Sequence, residues 1–163
     1  MRFARTSDLV PYRLTICGLD ELEAHGDAEV SHVLSLLDPD TPEPAVGRLF
    51  GDVWAHRVLR FHDIDRSMPG GRAPAPDDVS DVLSFGRELR DAPARSHVLV
   101  HCHAGVSRST AAAVILMAQQ NPGRETEALA AVTALRPIAR PNPRMLALAD
   151  EILGCQGRLR RLA

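Results

Sequence analysis

The 163-residue chain contains no lysine, and all 19 of its basic side chains are arginine. Against them stand 21 acidic residues, a net charge of -2, so no bulk attraction to nucleic acid or an acidic membrane exists. Cysteine is scarce: Cys17, Cys102 and Cys155 form an odd set with no C-x-x-C pair, which excludes a disulfide framework and a structural zinc site. Aromatic residues make up 4%. No apolar run approaches the length of a membrane span. Met1 to Val10 alternates charge with short apolar pieces and lacks the continuous stretch of a secretory signal. These absences predict a cytoplasmic protein with reduced thiols and neither a nucleic-acid nor a membrane partner. The hydrophobic content of 45% and charged content of 25% are ordinary for a soluble domain, and the length predicts one domain over residues 1–163.

Strand and helix signals interleave. Tyr12 to Cys17, Ser31 to Leu37, Arg57 to Phe61 and His97 to His101 read as short strands,. Leu19 to His25 reads as a short helix ending at Gly26, and Pro76 opens a longer one carrying Val79, Val82, Leu83, Gly86 and Leu89 at helical spacing,. Ser109 to Gln120 is alanine-rich and apolar nearly all round, the pattern of a buried helix,. Glu125 to Leu135 is another helix. Asn142 and Pro143 supply an N-cap and a first-turn proline for the last one, which runs to Gly154,. Two stretches carry no periodicity: the proline-rich Asp38 to Pro44, and His62 to Pro76, long enough to suggest a functional loop,. The pattern predicts an α/β domain with a central mixed, largely parallel sheet flanked by helices.

The informative segment is His101 to Thr110, HCHAGVSRST, at a strand-to-helix junction. Five residues separate Cys102 from Arg108. A loop of that length can curl so that successive backbone N–H groups converge, and the following helix adds its unpaired first-turn N–H groups and positive dipole end at the same point. Gly105 permits the backbone angles of such a curl. The result is a cradle for a tetrahedral dianion with Cys102 at its floor. An ordinary thiol is only a few per cent ionised at neutral pH, but the inward N–H groups, the helix end and Arg108 favour the thiolate. The planar fork of Arg108 can bind two equatorial oxygens, a geometry lysine cannot copy. Ser109 can hydrogen-bond the sulfur and make it a better leaving group. A lone buried cysteine is usually only a core residue; the joint pattern outweighs that reading.

The stretch HCHAGVSRS matches the His-Cys-x5-Arg-Ser/Thr signature of the protein tyrosine phosphatase superfamily, and its Ala-Gly-x-Ser-Arg-Ser form resembles the dual-specificity branch. VLSLL at Val33 to Leu37 is similar to that family's early buried strand, and RPIARPN at Arg136 to Asn142 to the segment before its last helix. The resemblance, which runs from about Ser31 to Leu153, implies a phosphatase acting on phosphate monoesters, either phosphorylated proteins or small phosphomonoesters, through a cysteinyl-phosphate intermediate, with no metal or organic cofactor. It makes Cys102 the nucleophile and Arg108 the phosphate clamp. The amides of His103, Ala104, Gly105, Val106, Ser107 and Arg108 form the cradle, and Ser109 assists thiolate departure. His101 braces the loop from behind, and Asn142 supports it or serves as a plain N-cap.

A leaving alkoxide or phenoxide needs a proton donor, which can later activate water. The resemblance implies an aspartate on a loop after a strand. Asp63, in Phe61-His62-Asp63, is the candidate and Asp65 its rival. Arg66 and Arg72 either line the entrance or are solvated. Gly70 and Gly71 give the loop freedom or make a turn. Cys17 or Cys155 could form a disulfide with an oxidised Cys102. Other readings stay open: sulfur transfer or arsenate reduction on a similar loop, a phosphate-binding module without turnover, and a phosphatase of phosphoinositides or other non-protein substrates. The absence of lysine from the loop leans towards phosphoprotein.

Overall fold

Residues 6–163 are described by a computed structural model. Met1 to Arg5, and with them the start of the N-terminal segment and of the single domain expected over 1–163, lie outside the described residues. The four apolar runs form strands β1 (Arg13–Cys17), β2 (His32–Leu37), β3 (Ala55–Arg60) and β4 (His97–His101) in the order β1-β4-β2-β3. All three pairings are parallel, so the sheet has no antiparallel member among the described residues. β2 and β4 are central and buried at every position, which explains their unbroken apolar runs.

Alternation along the strands sends one set of side chains to each face. Leu14, Ile16, Leu34, Leu36, Val98 and Val100 join a large core with the helices α2 (Pro76–Arg90), α3 (Arg108–Gln120), α4 (Glu125–Leu135) and α5 (Pro143–Leu153). Cys17, Val33 and Leu99 face a smaller cluster with Leu22 and Val46, under the 3-10 turn Leu19–His25 and the short helix α1 (Val46–Phe50). α3 is the central helix: every residue from Arg108 to Ala118 is buried, as expected of a sequence apolar on all sides. α5 begins where the sequence places it. The Asn142 side chain accepts from the Met145 N–H, Pro143 fills the first turn, and Gly154 closes the helix in the left-handed region,.

The sheet and α3 put one loop, residues 102–107, at the C-terminal edge of the central strand β4, where parallel α/β sheets place their ligands. The connections after β1, β2 and β3 converge on the same edge. No helix among the described residues is long and apolar enough to cross a membrane.

Candidate active site

Each carbonyl of the loop is tied to the surrounding scaffold. The Cys102 carbonyl accepts from His101 Nδ1 at 3.2 Å, and that of His103 from the Leu19 N–H at 2.8 Å. The carbonyls of Ala104 and Gly105 accept from Nη2 and Nε of Arg136 at 3.1 and 3.0 Å. Those of Val106 and Ser107 accept from the N–H groups of Arg140 and Asn142 at 2.8 and 3.1 Å. In a trans peptide the N–H points opposite to the C=O, and the described peptides are all trans. The six N–H groups from His103 to Arg108 therefore turn to the inside of the curl. None of them donates to another described group. Gly105 makes the curl possible: its φ is +68°, and a Cβ there would lie 2.5 Å from the Cys17 carbonyl carbon and 2.6 Å from the Gly18 nitrogen,.

Cys102 begins the curl and is 2% exposed. Its Sγ lies 3.1 Å from Ser109 Oγ, in the first turn of α3. The other two thiols differ: burial pushes Cys17 up to about 12 and Cys155 up to about 11, so both remain protonated at neutral pH. Cys17 packs in the small cluster, and Cys102 and Cys155 in the large one.

Arg108 is buried at the start of α3. Its Nη1 donates to Asp38 Oδ1 at 2.7 Å and to the Phe61 carbonyl at 2.6 Å. Nε is buried without a partner, and no described group accepts from Nη2. The guanidinium is thus held by one nitrogen and offers a free Nε–Nη2 edge, the fork that a pair of phosphate oxygens requires. The sequence pattern marks Asp38 only as the start of a loop. It is fixed by Arg60, whose Nη1 donates to the carbonyls of Asp38, Pro39 and Thr41 at 3.4, 3.3 and 2.7 Å, and by His103 Nε2, which accepts from the Asp38 N–H at 3.2 Å. An acidic residue closing an apolar strand was the only signal for it.

His101 is completely buried, and desolvation lowers it to about 4, so the ring is neutral. Because Nδ1 donates to the Cys102 carbonyl, Nε2 must accept from Ser35 Oγ, 2.6 Å away. Ser35 Oγ in turn accepts from His56 Nε2 at 2.9 Å, giving a directed chain from β3 through β2 and β4 to the loop.

Asp63 follows β3, and its Oδ1 accepts from the hydroxyl of the loop residue Ser107 at 2.6 Å and from Asn142 Nδ2 at 2.9 Å. Asn142 also donates to the Ile64 carbonyl at 3.2 Å while capping α5. It is both an N-cap and a tie between the loop and the Asp63 segment. Asp65 is exposed, and nothing ties its side chain to the loop among the described residues. Arg66 lies beside Asp63 and Asp65 in a shallow depression. Arg72 turns away: it pairs with Asp78 at 3.0 Å and donates to the Arg60 carbonyl. Gly70 and Gly71 form an exposed turn closed on the Met68 carbonyl. Arg136, noted only within its motif, is held by a bidentate pair with Glu21 at 2.7 and 2.5 Å.

A buried cysteine at the start of a loop with inward amides, a buried arginine with a free edge and a carboxylate tied to the loop make an arrangement that can hold a tetrahedral anion,. The family model for protein-tyrosine phosphatase matches residues 71–147. The human protein phosphatase Slingshot homolog 3 is 51% identical over 51 residues, which are 31% of this chain and 8% of that protein. Human DUSP28 aligns with a TM-score of 0.65 at 18% identity, covering 88% of this chain and 92% of its own. DUSP15 gives 0.62 at 23%, covering 94% and 91%. Residues 71–147 thus match the protein-tyrosine phosphatase family, the chain spans 8% of the length of the curated relative it matches, and its fold is that of the dual-specificity phosphatases.

Proposed function

We propose that this protein hydrolyses phosphate monoesters on phosphotyrosine, phosphoserine or phosphothreonine of proteins, by two in-line phosphoryl transfers through Cys102. The observation that carries the proposal is the outward anchoring of the loop carbonyls from Cys102 to Ser107, which turns the amides onto the phosphoryl oxygens. Preorganised donors of this kind supply most of the charge stabilisation in such reactions.

In the first step the Cys102 thiolate attacks phosphorus. The Nε–Nη2 edge of Arg108 spans two equatorial oxygens, and the bond to the leaving oxygen breaks as Asp63, in its acid form, gives that oxygen a proton. Ser107 and Asn142 hold the Asp63 carboxylate beside the loop by one oxygen, which leaves the other for the leaving group. In the second step water attacks the cysteinyl phosphate, Asp63 takes the water proton, and the S–P bond breaks. The Ser109 hydroxyl, 3.1 Å from Sγ, donates to the departing thiolate. His101 and Asn142 act as supports. The three unpaired cysteines suit a reducing compartment such as the cytoplasm.

The test is p-nitrophenyl phosphate hydrolysis by wild type and Cys102→Ser, with acid quenching and peptide mass spectrometry of the wild type. The expected result is turnover by the wild type, a phosphate adduct on the Cys102 peptide, and a Cys102→Ser protein that binds inorganic phosphate without turnover. Retained activity in Cys102→Ser overturns the proposal.

A further inference from the structure

Beside the first half of the phosphate loop, a depression of about 640 Å³ opens between the 3-10 turn after β1 and the segment before α5. Its wall on one side is His103 and Ala104 of the loop itself, so it lies beside the phosphate cradle at the C-terminal edge of the sheet. Two large apolar side chains flank it. Leu19 is half-buried against the small core, and Ile138 is 55% exposed, an unusual position for an isoleucine between two chemically committed segments. The floor is the Arg136–Glu21 pair, whose opposite charges cancel at 2.5 Å. Both partners are already spoken for, since Arg136 also holds two loop carbonyls and Glu21 also accepts from the Gly18 N–H. Asp20 is left as the one exposed carboxylate in the lining without an ion-pair partner.

The geometry points to a specificity subsite for phosphoprotein substrates: the depression seats an apolar side chain of a residue near the phosphorylated one, between Leu19 and Ile138, and Asp20 selects against acidic or phosphorylated neighbours. This inference rests on the phosphoprotein reading above and names the sequence context that reading leaves open. Three features carry it. The shared wall with the cradle places the subsite next to any residue whose phosphate is bound. The cancelled charge of the floor leaves Arg136 no free fork for a second phosphate. The apolar flanks reward burial of hydrocarbon, while an anionic side chain there would meet the Asp20 carboxylate.

The test uses matched phosphopeptides in which each position within two residues of the phosphorylated one is in turn Leu, Ser, Asp or a second phosphoresidue. kcat/KM is measured for wild type, Ile138→Ser and Asp20→Asn. In the wild type, Leu at one position should be preferred over Ser by about tenfold, with Asp and the second phosphate disfavoured further. Ile138→Ser should shrink the Leu-to-Ser ratio to below about threefold, and Asp20→Asn should relieve the penalty on Asp and on the second phosphate. Reading ratios within one variant removes any general loss of activity. Equal rates on all peptides, or a Leu preference that survives Ile138→Ser, overturn the subsite and leave the phosphoprotein reading intact. Turnover of p-nitrophenyl phosphate with none of any peptide overturns both.

Discussion

Asp38 Oδ1 lies 2.7 Å from Arg108 Nη1, so the residue that closes β2 holds the guanidinium of the phosphate loop. The second bond of the same nitrogen, to the Phe61 carbonyl, comes from the strand beside it. Arg108 is therefore aimed by β2 and β3 and not by its own helix alone.

Replacing Asp38 by Ala should weaken phosphate binding. A hydrogen bond to a charged group contributes about 1.5–3 kcal/mol when buried, and the Asp38 side chain is 40% exposed, so screening reduces this. The expected result is a rise of about tenfold in KM and in the inhibition constant of inorganic phosphate, with a smaller fall in kcat. Unchanged phosphate inhibition would show that Phe61 alone positions the arginine.

Asp63→Asn and Asp65→Asn should separate cleanly. Only Asp63 is tied to the loop, through Ser107 and Asn142. Its replacement should slow hydrolysis of alkyl and unactivated aryl phosphates by about 10²–10⁴-fold and have far less effect on esters with a good leaving group, since these need no proton. Asp65→Asn should stay near wild type across the series. A leaving-group series measured on both variants checks this, and the reverse pattern transfers the role to Asp65.

Gly105→Ala should cost function more than fold. The new methyl group would meet the backbone of Cys17 and Gly18 at 2.5 and 2.6 Å, at a φ of +68°, so the loop must shift. Left-handed strain alone amounts to roughly 1–3 kcal/mol. Thermal unfolding should drop by several degrees, while phosphate binding falls by more than the stability change explains, because the amides no longer share one centre. Normal phosphate affinity in this variant would contradict the proposed cradle.

Acid should destabilise the protein in a defined window. The folded-state value of His101 is about 4, below the ordinary value near 6.5. The unfolded chain therefore binds the extra proton first as pH falls, and stability declines from about 6.5 down to about 4, by roughly 3 kcal/mol for this ring. Burial also lowers His32, His56 and His97, which act in the same direction. Urea unfolding midpoints at pH 7 and pH 4.5 should show the decline, and His101→Asn should flatten it.

Much of this was legible in the sequence where a single segment carries its own pattern. β4, α4 and α5 begin and end where composition and capping place them, because Asn142, Pro143 and Gly154 are local signals. Strand edges drifted where pairing overrides propensity: β3 starts at Ala55, opposite His32, two residues before the apolar run. The five-residue helix α1 escaped because its packing onto the small core, not its sequence period, stabilises it. Cys102, Arg108 and Ser109 came from one contiguous motif. Asp38, Glu21 and Ser35 could not, since they reach the loop or its brace from the end of β2, the turn after β1 and the middle of β2, and nothing in their own neighbourhoods marks the partner.

The order of the strands has a consequence for synthesis of the protein. Arg13 of β1 lies opposite His97 of β4, and Leu34 of β2 opposite Val100, so a nascent chain that has emitted its first ninety or so residues exposes two strand edges whose shared neighbour is still inside the ribosome. Long-range closure of this kind is slow and exposes apolar edges meanwhile. Arg136 and Asn142 follow the loop in the chain and tie its carbonyls in place, so the loop is fully held only once both have joined the fold.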